Sequence, residues 1–129
     1  MNILLDTHTL LWLVSKPSKL EPETLVILAD PGTSVWVTAA SAWEIATKTR
    51  LGRLDGAALL STWADVIADM SGMELTIDSA DAILAGRLPW EHRDPFDRVI
   101  VAQALRRNLT IATRDAKIID AAITPTLTA

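Results

Sequence analysis

Cysteine is absent from the 129 residues. Its absence excludes disulfides and thiolate metal sites and fits a reducing, cytoplasmic setting. Only two histidines are present, so zinc, which favours sulfur and nitrogen ligands, is a poor fit. No run of about 18 apolar residues occurs, so no segment reads as a membrane-spanning helix. The start of the chain does not read as a signal peptide: no basic segment comes first, and Asp6 and His8 interrupt the apolar stretch. An excess of cations is also lacking. The net charge of −4 argues against a surface that binds nucleic acid everywhere, but not against an enzyme with a local basic rim. No glycine-rich phosphate loop with its lysine is found, which argues against a nucleotide triphosphatase. Repeats, low-complexity tracts and internal domain boundaries are missing too, so residues 1–129 read as a single domain.

What is present is a large apolar fraction. Half the residues are hydrophobic, which makes disorder a poor reading. A chain of this length buries roughly two-thirds of its unfolded surface. Short apolar strands at 2–5, 34–37, 74–77 and 109–113 alternate with helical patterns at 9–14, 23–29, 39–51, 57–70, 79–87 and 116–121. Thr7, Thr38 and Asp78 read as helix caps, and 123–127 reads as an edge strand because Pro125 withholds a ladder donor. The alternation predicts an α/β fold with a mainly parallel central sheet.

The chain is organised around HRDPFDRVIVAQAL, residues 92–105. Asp94 reads as N-cap and Pro95 as the first helical residue. The helix beyond is apolar on nearly every side, as buried helices are. Asp97 lies in its first turn on the same face as Val101 and Ala104, so a carboxylate is carried into or beside the core. It then needs hydrogen bonds, a cationic partner or a metal. Arg93 and Arg98 are near in sequence, and the helix dipole alone also favours an acid there.

Three further acids stand out. Asp6 follows the first strand, Asp115 follows the 109–113 strand with Thr113 beside it, and Glu44 lies amid apolar residues of the helix after strand two. Ligands of open α/β sheets sit beyond the carboxyl ends of the strands, where all four acids could converge. Each also has a plainer explanation: Asp6 and Asp115 as caps, and Glu44–Lys48 as an i,i+4 pair. Taken jointly, several carboxylates within a few Å repel unless a cation neutralises them. Oxygen ligands suit Mg²⁺ or Mn²⁺, and carboxylate-held Mg²⁺ commonly serves phosphoryl chemistry.

LLDTHTLLWLV, SAWEIATKTRLGRL, HRDPFDRVIVAQAL and TIATRD, in this order and spacing, resemble the PIN-domain ribonucleases and more closely the VapC toxins of bacterial toxin–antitoxin pairs. The resemblance runs from Asn2 to about Asp115. It implies a three-layer α/β/α fold and an acidic site of Asp6, Glu44, Asp97 and Asp115, with Thr113 as the hydroxyl residue near the fourth acid. Asp94 matches a further acid of the motif but is assigned first to capping. The resemblance also implies Mg²⁺ or Mn²⁺ as cofactor, an RNA substrate, a homodimer, a cognate VapB-type antitoxin that covers the site, and a prokaryotic cytoplasm. One departure concerns the tail, where Lys117, Ile118 and Ile119 stand in place of a bulky aromatic.

Lys48, Arg50, Arg53 and Arg98 are candidate RNA contacts, although cations near a helix end also complement its dipole. Trp36 and Trp43 read as core, and His8 as a rim residue. Two other classes are set against the nuclease. A phosphoacceptor signalling domain needs an acceptor aspartate and a lysine at particular strand ends, and no such pair is seen. A non-catalytic module that keeps only the fold would not need all four acids.

Overall fold

The computed structural model describes residues 1–129. Five short strands, β1 (Asn2–Leu5), β2 (Ser34–Thr38), β3 (Met73–Leu75), β4 (Thr110–Thr113) and β5 (Thr126–Thr128), form one sheet in the order β3-β2-β1-β4-β5. Every pairing is parallel. Parallel sheets need both faces covered, and the two-residue period of β1 supplies both. Ile3 and Leu5 point into one apolar cluster with Val35, Val37 and Ala112. Leu4 points into the other with Ile111.

The helices complete the outer layers. α1 (Thr7–Ser15), α2 (Pro22–Ala29), α4 (Ala57–Ser61) and α5 (Trp63–Asp69) pack on the first cluster, together with Ile45 of α3 (Ala39–Arg50). α6 (Ser79–Arg87), α7 (Pro95–Arg107) and α8 (Ala116–Ala121) pack on the second. α7 is the most deeply set: Val99 through Ala104 are all buried. The predicted start of that helix holds, with Asp94 Oδ1 accepting from the backbone N–H groups of Phe96 and Asp97 and with Pro95 first in the helix. No helix is long and apolar enough to cross a membrane.

Four local expectations are corrected. Asp6, not Thr7, caps α1, accepting from Thr9 N at 2.8 Å. The helix expected over 57–70 is two helices parted at Thr62, whose hydroxyl donates back to the Ala58 carbonyl at 2.9 Å and so favours a break. The third strand is Met73–Leu75, not 74–77. Trp43 is 52 % exposed rather than core.

Strand order places the cleft. From β1 the chain proceeds to β2 and β3 on one side, then returns to place β4 on the other. The order therefore reverses between β1 and β4, and a crevice opens beyond their carboxyl ends. Asp6 stands at one lip and Thr113–Asp115 at the other.

Candidate active site

Asp6 is buried at the end of β1. Its Oδ1 accepts from Thr9 N, and its Oδ2 accepts from the Thr113 hydroxyl. Thr113, the last residue of β4, accepts in turn from Asp115 N at 3.0 Å. Asp115 caps α8 through Oδ1, accepting from Lys117 N at 2.9 Å. One hydroxyl thus ties the acids of two neighbouring strands together. A cleft of about 320 Å³ opens here, lined by Asp6, His8, Trp12, Arg114 and Asp115.

Glu44 is buried in α3. It accepts from the Thr7 hydroxyl at 2.5 Å and from the Lys48 ammonium. Thr7 also lies 3.0 Å from the Ser41 hydroxyl. The residue next to Asp6 therefore reaches across to α3 and binds Glu44 to the same edge. Asp97, in the first turn of α7, has its Oδ2 2.6 Å from His92 Nε2.

The electrostatics record the convergence. Burial pushes the Asp6 carboxyl up, against the opposing hydrogen bonds of Thr113 and Thr9 and the charge of His8. Burial pushes Asp97 up to about 6, against the His92 hydrogen bond, and repulsion from Asp94, Asp115 and Glu44 adds to the rise. Asp97 thus feels acids from α3 and from the turn after β4.

The four acids nevertheless are not drawn into one tight ligand set. The group whose ligand atoms all lie within 4.8 Å of one another is His92, Asp94 and Asp97. Asp6, Glu44 and Asp115 line the same edge but hold their own hydroxyl, ammonium or backbone partners. Among the expected RNA contacts, Lys48 is paired with Glu44 while Arg50 and Arg53 are exposed. Arg98 is turned inward: its guanidinium donates to the carbonyls of Ala85, Leu88, Trp90 and His92, because α7 faces the preceding linker at that position.

Several residues lie inside the quoted motifs, yet sequence reasoning gave them no part in the site. His92 precedes a proline turn in a segment without periodicity. Arg114 lies over the Trp12 ring, 4.7 Å from its centroid, and donates to the Ala129 carbonyl. Gln103 is fully buried within the otherwise apolar stretch Val99–Ala104 of α7. It accepts from the Thr38 hydroxyl at 2.6 Å and donates to Thr76 O and Asp81 Oδ2 at 3.1 Å each. Since Thr38 caps α3, this bond fixes the helix of Glu44 to the helix of Asp97. The signal that could have found Gln103 is a lone amide in that apolar stretch, because a buried amide must be hydrogen-bonded.

Fold and site define a three-layer α/β protein with a carboxylate-lined crevice at the carboxyl edge of a parallel sheet. The PIN domain family model matches residues 3–123, and the chain belongs to that family. No curated protein matches the sequence. Among solved structures, VapBC2 from Rickettsia felis, bound to a promoter DNA fragment, aligns with a TM-score of 0.72 at 14% identity, covering 98% of both chains. VapBC-1 from nontypeable Haemophilus influenzae gives 0.64 at 16% identity, covering 98% of this chain and 97% of that one. FitAcB from Neisseria gonorrhoeae gives 0.61 at 23% identity, covering 98% and 96%. At these identities the likeness is one of fold.

Proposed function

We propose that this chain is a metal-dependent endoribonuclease acting as the toxin of a type II toxin–antitoxin pair. The observation that supports the reading is a PIN domain in which Thr113 links Asp6 to Asp115, Thr7 beside Asp6 binds Glu44, and Asp97 lies near enough to be repelled by Glu44 and Asp115. The donor set fits the cofactor: the facing ligands are carboxylate oxygens, the chemistry that selects Mg²⁺ or Mn²⁺. Asp6 and Asp97 would hold the ion. When bound, it supplies an acidified water and stabilises charge on the phosphate under in-line attack.

The chain's own residues do the rest. Thr113 holds the Asp6 carboxylate and the Asp115 backbone in register. Glu44, fixed by Thr7, and Asp115 complete the negative charge and orient the attacking water. Arg50 and Arg53, exposed past the end of α3, would meet phosphates at the rim.

An unrestrained ribonuclease would harm its host, so a cognate VapB-type antitoxin belongs to the reading. The solved structures of the same fold are named VapBC2, VapBC-1 and FitAcB, which supports a VapB-type partner. An apolar groove of about 570 Å³ between α1, α2 and α5, lined by Leu13, Val14, Leu25, Leu28, Val66 and Met70 among others, suits an amphipathic partner segment. An arginine or lysine from that segment would pair with the acids. A single domain, assembled as a homodimer, completes the proposal.

The test is cleavage of RNA by the purified chain in Mg²⁺ or Mn²⁺, in EDTA, and after metal is restored. Cleavage that EDTA abolishes and metal restores is expected. Undiminished cleavage in EDTA would remove the metal. No cleavage of any RNA by folded, metal-saturated protein would favour the non-catalytic module.

A further inference from the structure

Residues 88–94 form neither helix nor strand, yet one side chain holds this backbone at several points. Arg98 Nε donates to Ala85 O at 2.8 Å, at the end of α6. Its Nη2 donates to Leu88 O at 2.8 Å, and its Nη1 donates to Trp90 O at 2.7 Å and His92 O at 2.9 Å. The partners are carbonyls, not carboxylates, so this arginine is not an ion-pair residue. Its flat fork of donors is what allows one side chain to gather four carbonyls.

The clasp fixes where the His92 ring stands. The ring is packed against Trp90, with centroids 4.8 Å apart, and Trp90 is itself packed on the core. His92 Nε2 then lies 2.6 Å from Asp97 Oδ2, with the two side chains only 13% and 15% exposed. Asp97 and Arg98 are neighbours on α7, about 100° apart around the helix axis. One turn of helix therefore presents the carboxylate and also ties down the segment that carries its partner. An ionised carboxylate only accepts, so the imidazole N–H must be the donor whenever Asp97 is charged.

We propose that His92 is a positioning residue for Asp97. It holds Oδ2 and leaves Oδ1 for the cation, while Arg98 sets the height and angle of His92. The proposal rests on the metal reading of Asp97 given above. Partners behind a metal's ligands orient those ligands, and their removal typically weakens metal affinity or activity by about 10–100-fold.

The test is Mn²⁺ affinity of the full chain, read by electron paramagnetic resonance, with folding checked by circular dichroism. His92→Leu should weaken Mn²⁺ binding by about 10–100-fold. His92→Gln, which keeps an N–H donor, should restore most of it. Arg98→Lys keeps the charge but cannot bridge four carbonyls, and it should fall between the two. In an Asp97→Asn background, His92→Leu should cause no further loss, because its effect passes through Asp97. A purely structural role would not show that dependence.

Folded His92→Leu protein that binds Mn²⁺ like wild type overturns the proposal. So does a loss that persists undiminished when Asp97 is already Asn. If His92→Leu does not fold, unchanged affinity in Arg98→Lys overturns it and reduced affinity supports it. If wild type and Asp97→Asn bind Mn²⁺ alike, the metal reading of Asp97 fails and carries the positioning role with it.

Discussion

Asp97→Asn should make the protein more stable at neutral pH while abolishing its proposed activity. The carboxyl rises from its ordinary 3.8 to about 6 because burial, and then the repulsion of Asp94, Asp115 and Glu44, outweigh the His92 hydrogen bond. At about 1.4 kcal/mol per pH unit, this corresponds to about 3 kcal/mol in favour of the neutral form. Solvent at the cleft screens part of that, so a gain of about 1–2 kcal/mol is expected. The direction with pH follows from the raised value. Between about pH 4 and pH 6 the unfolded chain binds fewer protons at this group than the folded one, so folding loses stability as pH rises through that window. The cost is complete above pH 6 and absent below the unfolded value. Asparagine should therefore raise the melting temperature at pH 8, by about 3–5 °C per kcal/mol for a domain of this size, and should leave it unchanged near pH 4. The assay is thermal unfolding of both proteins in EDTA across that range. Adding Mn²⁺ at about 100 times its Kd should then stabilise wild type by up to about 2.7 kcal/mol and the variant far less. An asparagine variant that is less stable at pH 8, or whose gain is the same at pH 4, refutes the reasoning.

Asp81 is fully buried and binds Arg106 at 2.5 Å and Arg107 at 2.8 Å. Burial opposes its charge, but hydrogen bonds from Arg107, Gln103 and Arg106 prevail and hold the carboxyl well below the usual range. Asp81→Ala should cost about 3 kcal/mol in denaturant unfolding, the low end for a broken buried pair because the two arginines stay partly exposed. Asp81 should also make wild type lose stability as pH falls below about 4, where the unfolded chain takes up the proton first. Thr113→Val removes the donor to Asp6 and the acceptor for Asp115 N; a loss of about 1–3 kcal/mol is expected by thermal melting, together with reduced RNA cleavage. Arg50→Ala combined with Arg53→Ala should lower the salt dependence of RNA binding, measured as the slope of log K against log salt, with the fold unchanged. An unaltered slope would show that these arginines do not meet phosphate.

The fold was largely legible because its signals are local. The Asp94-Pro95 start and the Asp78 cap both lie where the pattern puts them, and the Asp78 cap closes a full capping box with Asp81. The strand–helix alternation predicted a mainly parallel sheet, and the sheet is wholly parallel. What escaped was decided by partners distant in sequence. Thr7 and Asp6 both read as caps for α1, and Asp6 takes the role because Thr7 turns to Glu44, 37 residues away. Trp43 reads as core, yet its ring stands at the surface, edge-on to Phe96 with centroids 4.6 Å apart. Arg98 reads as a surface cation, but the linker before α7 folds back beneath it. The candidate acids advertise themselves by position, Asp6 and Asp115 at strand ends and Glu44 and Asp97 as carboxylates among apolar helix residues. The Thr7 hydroxyl and His92 imidazole that hold Glu44 and Asp97, and the Gln103 amide that joins the two helices carrying them, do not.

The most direct test of the central claim is to locate the ion. A crystal of the wild-type chain soaked in Mn²⁺ should show an anomalous peak in the crevice between β1 and β4, in contact with Asp6 and Asp97, and the same soak of Asp97→Asn should show none there. A saturating soak that leaves this crevice without a peak, or places the ion away from Asp6 and Asp97, would contradict the account.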